Sequence, residues 1–318
     1  VTEAVRVDVG GDSPEGSNSA YVLPDRGTVI DPGPPGDAVY RTLRAGIADA
    51  GLALSDVEHV VVTHWHVDHA GLAPRLAAAA DAAIHMHERD APLVAEYAAA
   101  RLERIERDAA TLADWGVPDA RVREVRASDA PSPMPDATPV ERHRDGDVVA
   151  GGEVLHTPGH TEGHLAFRVG DSTFVGDAVL PTYTPNVGGS DTRSTDPLAA
   201  YVRSLATLTR RAGTFYPGHG SSVAVPGRIE TILEHHRDRA RRTFDRLDAR
   251  GEATPWEVAR DLFGEMRGVH VKFGAGEAAA HLRSLASRSH VRRIGSNPQR
   301  FAVADAPTAD EELLPPVE

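Results

Sequence analysis

The feature that most constrains this chain is the run Thr63-His64-Trp65-His66-Val67-Asp68-His69-Ala70-Gly71. Three imidazoles and a carboxylate fall within six residues, directly after the valine-rich stretch Val57 to Val62. A short apolar, β-branched stretch reads as a buried strand. The cluster therefore sits where a strand ends and the chain turns towards a helix. Alternate side chains of an extended segment share a side, so His64 and His66 can point the same way. Neutral imidazole nitrogens and carboxylate oxygens are donors for a borderline divalent metal. Asp68 and His69 follow after the turn and can serve a second ion.

Three downstream residues have the same setting. His160 lies in His156-Thr157-Pro158-Gly159-His160-Thr161-Glu162-Gly163-His164, Asp177 in Phe174-Val175-Gly176-Asp177, and His219 in Phe215-Tyr216-Pro217-Gly218-His219-Gly220. Each follows a short β-rich stretch and has glycine nearby, which lets a loop approach a ligand closely. Upstream, Asp31 in Val29-Ile30-Asp31-Pro32-Gly33 reads as a carboxylate that orients a ligand histidine.

The HxHxDH run, followed by a distant His, Asp and His, resembles the metallo-β-lactamase-fold hydrolase superfamily over roughly residues 5 to 225. The resemblance implies an αββα sandwich with ligand loops along one edge. It implies that His64, His66 and His160 hold one ion, that Asp68, His69 and His219 hold the other, and that Asp177 bridges them. Asp68 and Asp177 are then the catalytic carboxylates. The expected cofactors are two divalent ions, zinc favoured, with iron or manganese acceptable to the same donors. The site is similar to that of glyoxalase II, although the helical glutathione-binding region of those enzymes is not recognised here. The reaction expected from the resemblance is hydrolysis of a thioester or related ester by a hydroxide shared between the ions. The alternatives are cleavage of single-stranded RNA and, as minor readings, lactonase, β-lactamase or iron-dependent persulfide dioxygenase activity. Flavodiiron chemistry is disfavoured, because that class has Glu where His66 stands. A non-enzymatic RNA-binding scaffold would be marked by lost ligands, and none is lost.

Composition narrows this further. There is no cysteine among the 318 residues, which excludes disulfides and thiolate ligands. No apolar stretch reaches a membrane span of about 18 residues, and the N-terminal residues lack a basic-then-apolar pattern. A cytoplasmic protein without a membrane partner is expected. The net charge is -13 and Lys272 is the only lysine. Acidic excess with so little lysine points to a halophilic, high-salt cytoplasm, with a GC-rich genome as the alternative. Either way the charge concerns solubility rather than fold.

The chain divides, on this reading, into a catalytic domain over 1–225, a small domain over 226–305 and an acidic tail over 306–318. In the first, Asp37 to Ala50 has helical spacing of Val39, Leu43 and Ile47. Glu88 to Trp115 reads as one long helix, Ala127 to Pro139 as a proline-rich loop, and Asp196 to Arg211 as a helix. In the second, helices are expected over Arg228 to Arg250, Thr254 to Phe263 and Ala275 to Ala286. A hairpin follows from His290 to Val303. Thr254-Pro255-Trp256-Glu257 has the cap, N1-proline and N3-glutamate of a helix start. Three helices and a β-wing, with His281-Leu282-x-x-Leu285, resemble the winged-helix domain that ends the mitochondrial lactamase-like endoribonuclease.

Residues 228–303 hold 15 basic and 10 acidic side chains, about +5, which leaves about -18 on the rest. Such a split is an electrostatic footprint for nucleic acid, with Arg288, Arg292 and Arg293 as phosphate contacts. Structural packing or homodimer formation is the favoured use of the module. His235, His236, His270, His281 and His290 are surplus to the ligand set. In the first domain, Trp65 is expected to pack in the core, and His164 to be either a support for a ligand or, as favoured, an interior strand residue. Tyr183 and Asn186 either polarise substrate or serve only to order their loop.

Overall fold

A computed structural model describes residues 4–10, 16–220, 223–224, 227–304 and 313–315. The acidic tail 306–318 lies mostly outside the described residues, as does the expected boundary at 225–226. By contact the chain forms two compact units. The first comprises residues 1–101, 131–185 and 207–229, and the second 102–130, 186–206 and 230–318. The second unit thus gathers segments from both sides of residue 226.

The first unit is built on two sheets. One has the order β1 (Val5–Asp8), β2 (Ser19–Leu23), β3 (Thr28–Ile30), β4 (His59–Val61), β5 (Ala83–His87) and β6 (Glu141–His143). β1 to β3 are antiparallel neighbours, and β3 to β6 run parallel. The other sheet contains β7 (Val148–Val149), β8 (Gly152–His156), β9 (Leu165–Val169), β10 (Ser172–Gly176), β11 (Thr214–Pro217) and β12 (Val223–Ala224), in reverse order. Only β10 and β11 pair in parallel there.

Period-two alternation sorts the strand residues between two cores. Tyr21, Leu23, Ile30 and Val61 pack with Val154, Leu165, Phe167 and Phe174 between the sheets. Val22, Val29, Val60, Val62, Ile84 and Met86 face the other way. There they meet Tyr40, Leu43 and Ile47 of the helix Asp37–Asp49 and Leu76 of the helix Ala73–Ala80. The expected stripe of the Asp37 helix is thus buried, with Val39 at its margin.

The stretch from Glu88 to Trp115 differs from the expected single helix. It forms Pro92–Ala95 and then Tyr97–Asp114, broken at Glu96, whose φ of -125° and ψ of 45° are not helical. Pro92 lacks the N–H a continuous helix would need, so it starts the first piece. A helix over Asp119–Ser128 runs into the expected loop. Its charged sequence, with one buried residue, gives little apolar periodicity to read.

In the second unit, the helices Gly227–Arg250 (from Glu230 on), Pro255–Phe263 and Val269–Ser287 accompany a sheet of β13 (Glu252–Ala253), β15 (Gln299–Val303) and β14 (Val291–Ser296), in that order. The reciprocal capping box at Thr254 and Glu257 is present. The Val269 helix starts six residues earlier than Ala275. Gly274 and Gly276 hide that start in the sequence. A Cβ on Gly276 would lie 2.4 Å from the Gly189 Cα, so glycine permits that close approach. Lys272 is buried and donates to Asp108 at 2.6 Å. No helix among the described residues is long and apolar enough to cross a membrane.

Tyr21 ties the two sheets at the edge that carries the loops. Its hydroxyl donates to the Pro217 carbonyl at 2.7 Å, with its ring against Phe174 and Tyr216. Tyr21→Phe keeps the ring and leaves a buried carbonyl unpaired. It should lower unfolding free energy by about 1–3 kcal/mol, read from denaturant midpoints.

Candidate metal centre

β3, β4, β10 and β11 end at the same edge of the sandwich, and the chemistry-bearing residues follow these ends. After β4 the chain passes Thr63 and His64, and His66 precedes the short helix Val67–Ala70 that carries Asp68 and His69. His160 lies between β8 and β9, Asp177 follows β10, and His219 follows β11. The structure brings all seven expected ligands together. Nε2 of His64 and Nε2 of His160 lie 3.0 and 3.1 Å from Nδ1 of His66. Nε2 of His69 and Nε2 of His219 each lie 3.5 Å from Oδ2 of Asp68.

Asp177 faces both groups. Its Oδ1 lies 3.4 Å from His69 Nε2, and its Oδ2 lies 3.5 Å from His219 Nε2 and 3.7 Å from His160 Nε2. Asp177 Oδ1 and His69 Nε2 are buried without a hydrogen-bond partner. Buried polar atoms are rarely left so. The ring nitrogens of His64, His66 and His160 also converge at about 3 Å. Both observations fit divalent ions in this donor set.

Burial, together with His69 and His66, pushes His64 well below the ordinary histidine range. Burial and His160 lower His66 to about 3. His69 and His219 go the other way. Burial opposes their charge, but Asp177, Asp68 and Asp31 outweigh it at His69. Bonds to Asp177 and Asp68 raise His219 to about 10. Neutral imidazole is thus favoured at His64 and His66, while His69 and His219 sit against carboxylates that favour positive charge.

Asp31 has the orienting role expected of it. Its carboxylate accepts from Thr63 N at 2.8 Å, from Thr63 Oγ1 at 2.7 Å and from His69 Nδ1 at 3.0 Å. That fixes His69 with Nε2 turned inward. His164 is more than an interior strand residue. Its Nδ1 is 2.8 Å from Thr157 Oγ1, and its Nε2 accepts from the Asp177 backbone N–H at 3.2 Å. Gly176, at φ 46°, has no room for a Cβ, which would lie 2.5 Å from Thr63 Oγ1.

Two positioning residues escaped the sequence reading. Asn18 donates through Nδ2 to the Asp68 carbonyl and Oδ2, both at 3.1 Å. Buried Asp90 accepts from Thr161 Oγ1 at 2.7 Å, Gly163 N at 2.8 Å and Trp65 N at 3.3 Å, and so joins two ligand loops. Trp65 itself packs on the core beneath the first sheet, as expected. Asn186 is engaged in its own loop, where Oδ1 accepts from Gly189 N and Ser190 N. Tyr183 is 47% exposed, and its carbonyl accepts from Arg228. His236 and His281 are buried 3.3 Å apart, and none of the five surplus histidines joins a ligand group among the described residues.

Comparison with known proteins agrees with this geometry. The family model described as "Metallo-beta-lactamase superfamily" matches residues 13–219. The chain is 30% identical to a protein of Bacillus subtilis (strain 168) named "Probable metallo-hydrolase YqjP", over 81% of this chain and 84% of that one. It is 25% identical to "Atrochrysone carboxyl ACP thioesterase" of Claviceps purpurea (strain 20.1), over 70% of this chain and 58% of that one. Among solved structures, it is similar to a metallo-beta-lactamase family protein from Thermus thermophilus. The TM-score is 0.74 with 29% identity, covering 95% of this chain and 98% of that one. A beta-lactamase domain protein from Burkholderia ambifaria gives 0.72 and 27%, over 95% and 91%. The fold class is the αββα metallo-β-lactamase sandwich, and the chain belongs to the metallo-beta-lactamase superfamily.

Proposed function

We propose that this superfamily metallo-hydrolase is a binuclear enzyme acting on a thioester or related ester, with zinc as its preferred ion. The observation that carries the binuclear reading is Asp177, whose two oxygens face histidines of both groups within 3.7 Å. His64, His66 and His160 would hold one ion, and Asp68, His69 and His219 the other. When bound, such a pair acidifies water and polarises the substrate oxygen. The chain's own groups do the rest. Asp31 and His164 hold His69 and Asp177 in register. The Asp68 side chain, 39% exposed, would move a proton from water to the leaving sulfur or oxygen at Oδ1, the oxygen not turned to His69 and His219. The relative named as an acyl-carrier-protein thioesterase supports the choice of substrate class.

A second reading, cleavage of single-stranded RNA, is favoured by one observation. Arg292 and Arg293 stand exposed on β14, in the order of helices and hairpin that we read as winged-helix-like. Phosphate contacts of that kind weaken steeply with salt.

Elemental analysis of gently purified protein should give two divalent ions per chain, and Asp68→Ala should lower that number. One ion, unchanged by Asp68→Ala, defeats the binuclear reading. Asp31→Asn should weaken metal retention about 10–100-fold in chelator competition, because an amide NH2 replaces one of the two oxygens that accept from Thr63 and His69. A panel of acyl-glutathione, acyl-coenzyme A, lactone, nitrocefin and labelled RNA, at low and high salt, tests the reaction. Thioester turnover is expected. RNA cleavage abolished by Asp68→Ala, without thioester turnover, would reverse the two readings. In that case Arg288, Arg292 and Arg293 together changed to Ala should weaken RNA binding and flatten its salt dependence.

A further inference from the structure

We propose that the first sheet carries a separate site for a divalent cation of zinc type, formed by Nδ1 of His85, Nε2 of His143 and Oε2 of Glu141. Outside the seven-residue centre, this is the one further group of converging histidines and carboxylates among the described residues. The register pairs His85 with Glu141 and His87 with His143 across β5 and β6. It pairs Val61 with His85 across β4 and β5. Period two then places His59, His85, Glu141 and His143 on one face of the sheet.

Distances suit a metal without backbone movement. His85 Nδ1 lies 3.0 Å from His143 Nε2 and 3.3 Å from Glu141 Oε2. Ligands about 2.0–2.1 Å from a tetrahedral zinc stand roughly 3.3–3.4 Å apart. The far side of the His85 ring is also provided for, since its Nε2 lies 3.0 Å from His59 Nδ1. Acceptors behind ligand histidines fix the tautomer that turns a lone pair to the ion. Burial, then His143 and His59, lowers His85 to about 4, so the ring is neutral and ready to ligate. Glu141 is 61% exposed at its side chain, which gives the ion a way in from solvent.

β6 is three residues long and ends the sheet. A cation held between β5 and β6 clamps that edge strand, and its binding free energy adds to folding. The role is structural and independent of the hydrolytic reading. The competing account is a hydrogen-bonded histidine row, His59 to His85 to His143, which has no use for Glu141.

The test is differential. Full-length protein and the variants Glu141→Gln and His143→Gln are equilibrated with zinc, desalted and compared for zinc content and melting temperature. Wild type should hold one zinc per chain more than either variant. Added zinc should raise its melting temperature by more, while ester turnover stays unchanged in the variants. Equal zinc content and an equal thermal response in all three proteins would overturn the site and leave the histidine row only. Should His143→Gln not fold, Glu141→Gln carries the test, since its side chain is mostly in solvent. The comparison counts a difference, so it stands whether the main centre holds one ion or two and whatever it cleaves.

Discussion

The structure depends on making buried charge tolerable. Asp31 and Asp177 are almost fully enclosed, and an unpaired carboxylate in such a place costs several kcal/mol. Asp31 meets that cost with three donors from Thr63 and His69. Asp177 meets it with His69 and His219, both pushed towards their charged forms. Across the centre, His64 and His66 are held neutral by the same burial. The site thus places lone pairs without charge beside charge in need of a counter-ion, which is the polarity that suits a divalent cation.

The sandwich contributes precision. Strands end together, and the loops beyond them are bonded to one another rather than only to their own strands. Asp90 links Trp65 to the Thr161–Gly163 turn, and His164 holds the backbone of Asp177. Sites supported in this way hold their geometry better than sites on free loops.

The seven candidate ligands that the structure brings together were legible in the sequence because metal chemistry restricts residue type and spacing, and HxHxDH is hard to produce otherwise. Asp31 was legible because it repeats the strand-end, glycine-flanked setting. Asn18 and Asp90 were not, since Asn18 reaches Asp68 across 50 residues, and Asp90 reaches Trp65 across 25 and Thr161 across 71. β6 was not, because Glu141-Arg142-His143 has no apolar alternation. The two-unit division was hidden for the same reason. Residues 102–130 and 186–206 join the later helices through contacts that leave no local periodic mark. Where packing left a local signature, as in the Asp37 helix and the Thr254 capping box, the reading and the structure agree.

The seating of His219 has a consequence for the growing chain. Its Nδ1 is 3.1 Å from the Gly16 carbonyl, and Ser19 Oγ donates to the Gly220 carbonyl at 2.6 Å. These contacts join positions about 200 residues apart. During synthesis, the first histidines emerge long before the segment that closes their pocket. Contacts of such long range are slow to form. A nascent chain therefore displays an open, half-built histidine cluster until nearly the whole first unit has left the ribosome.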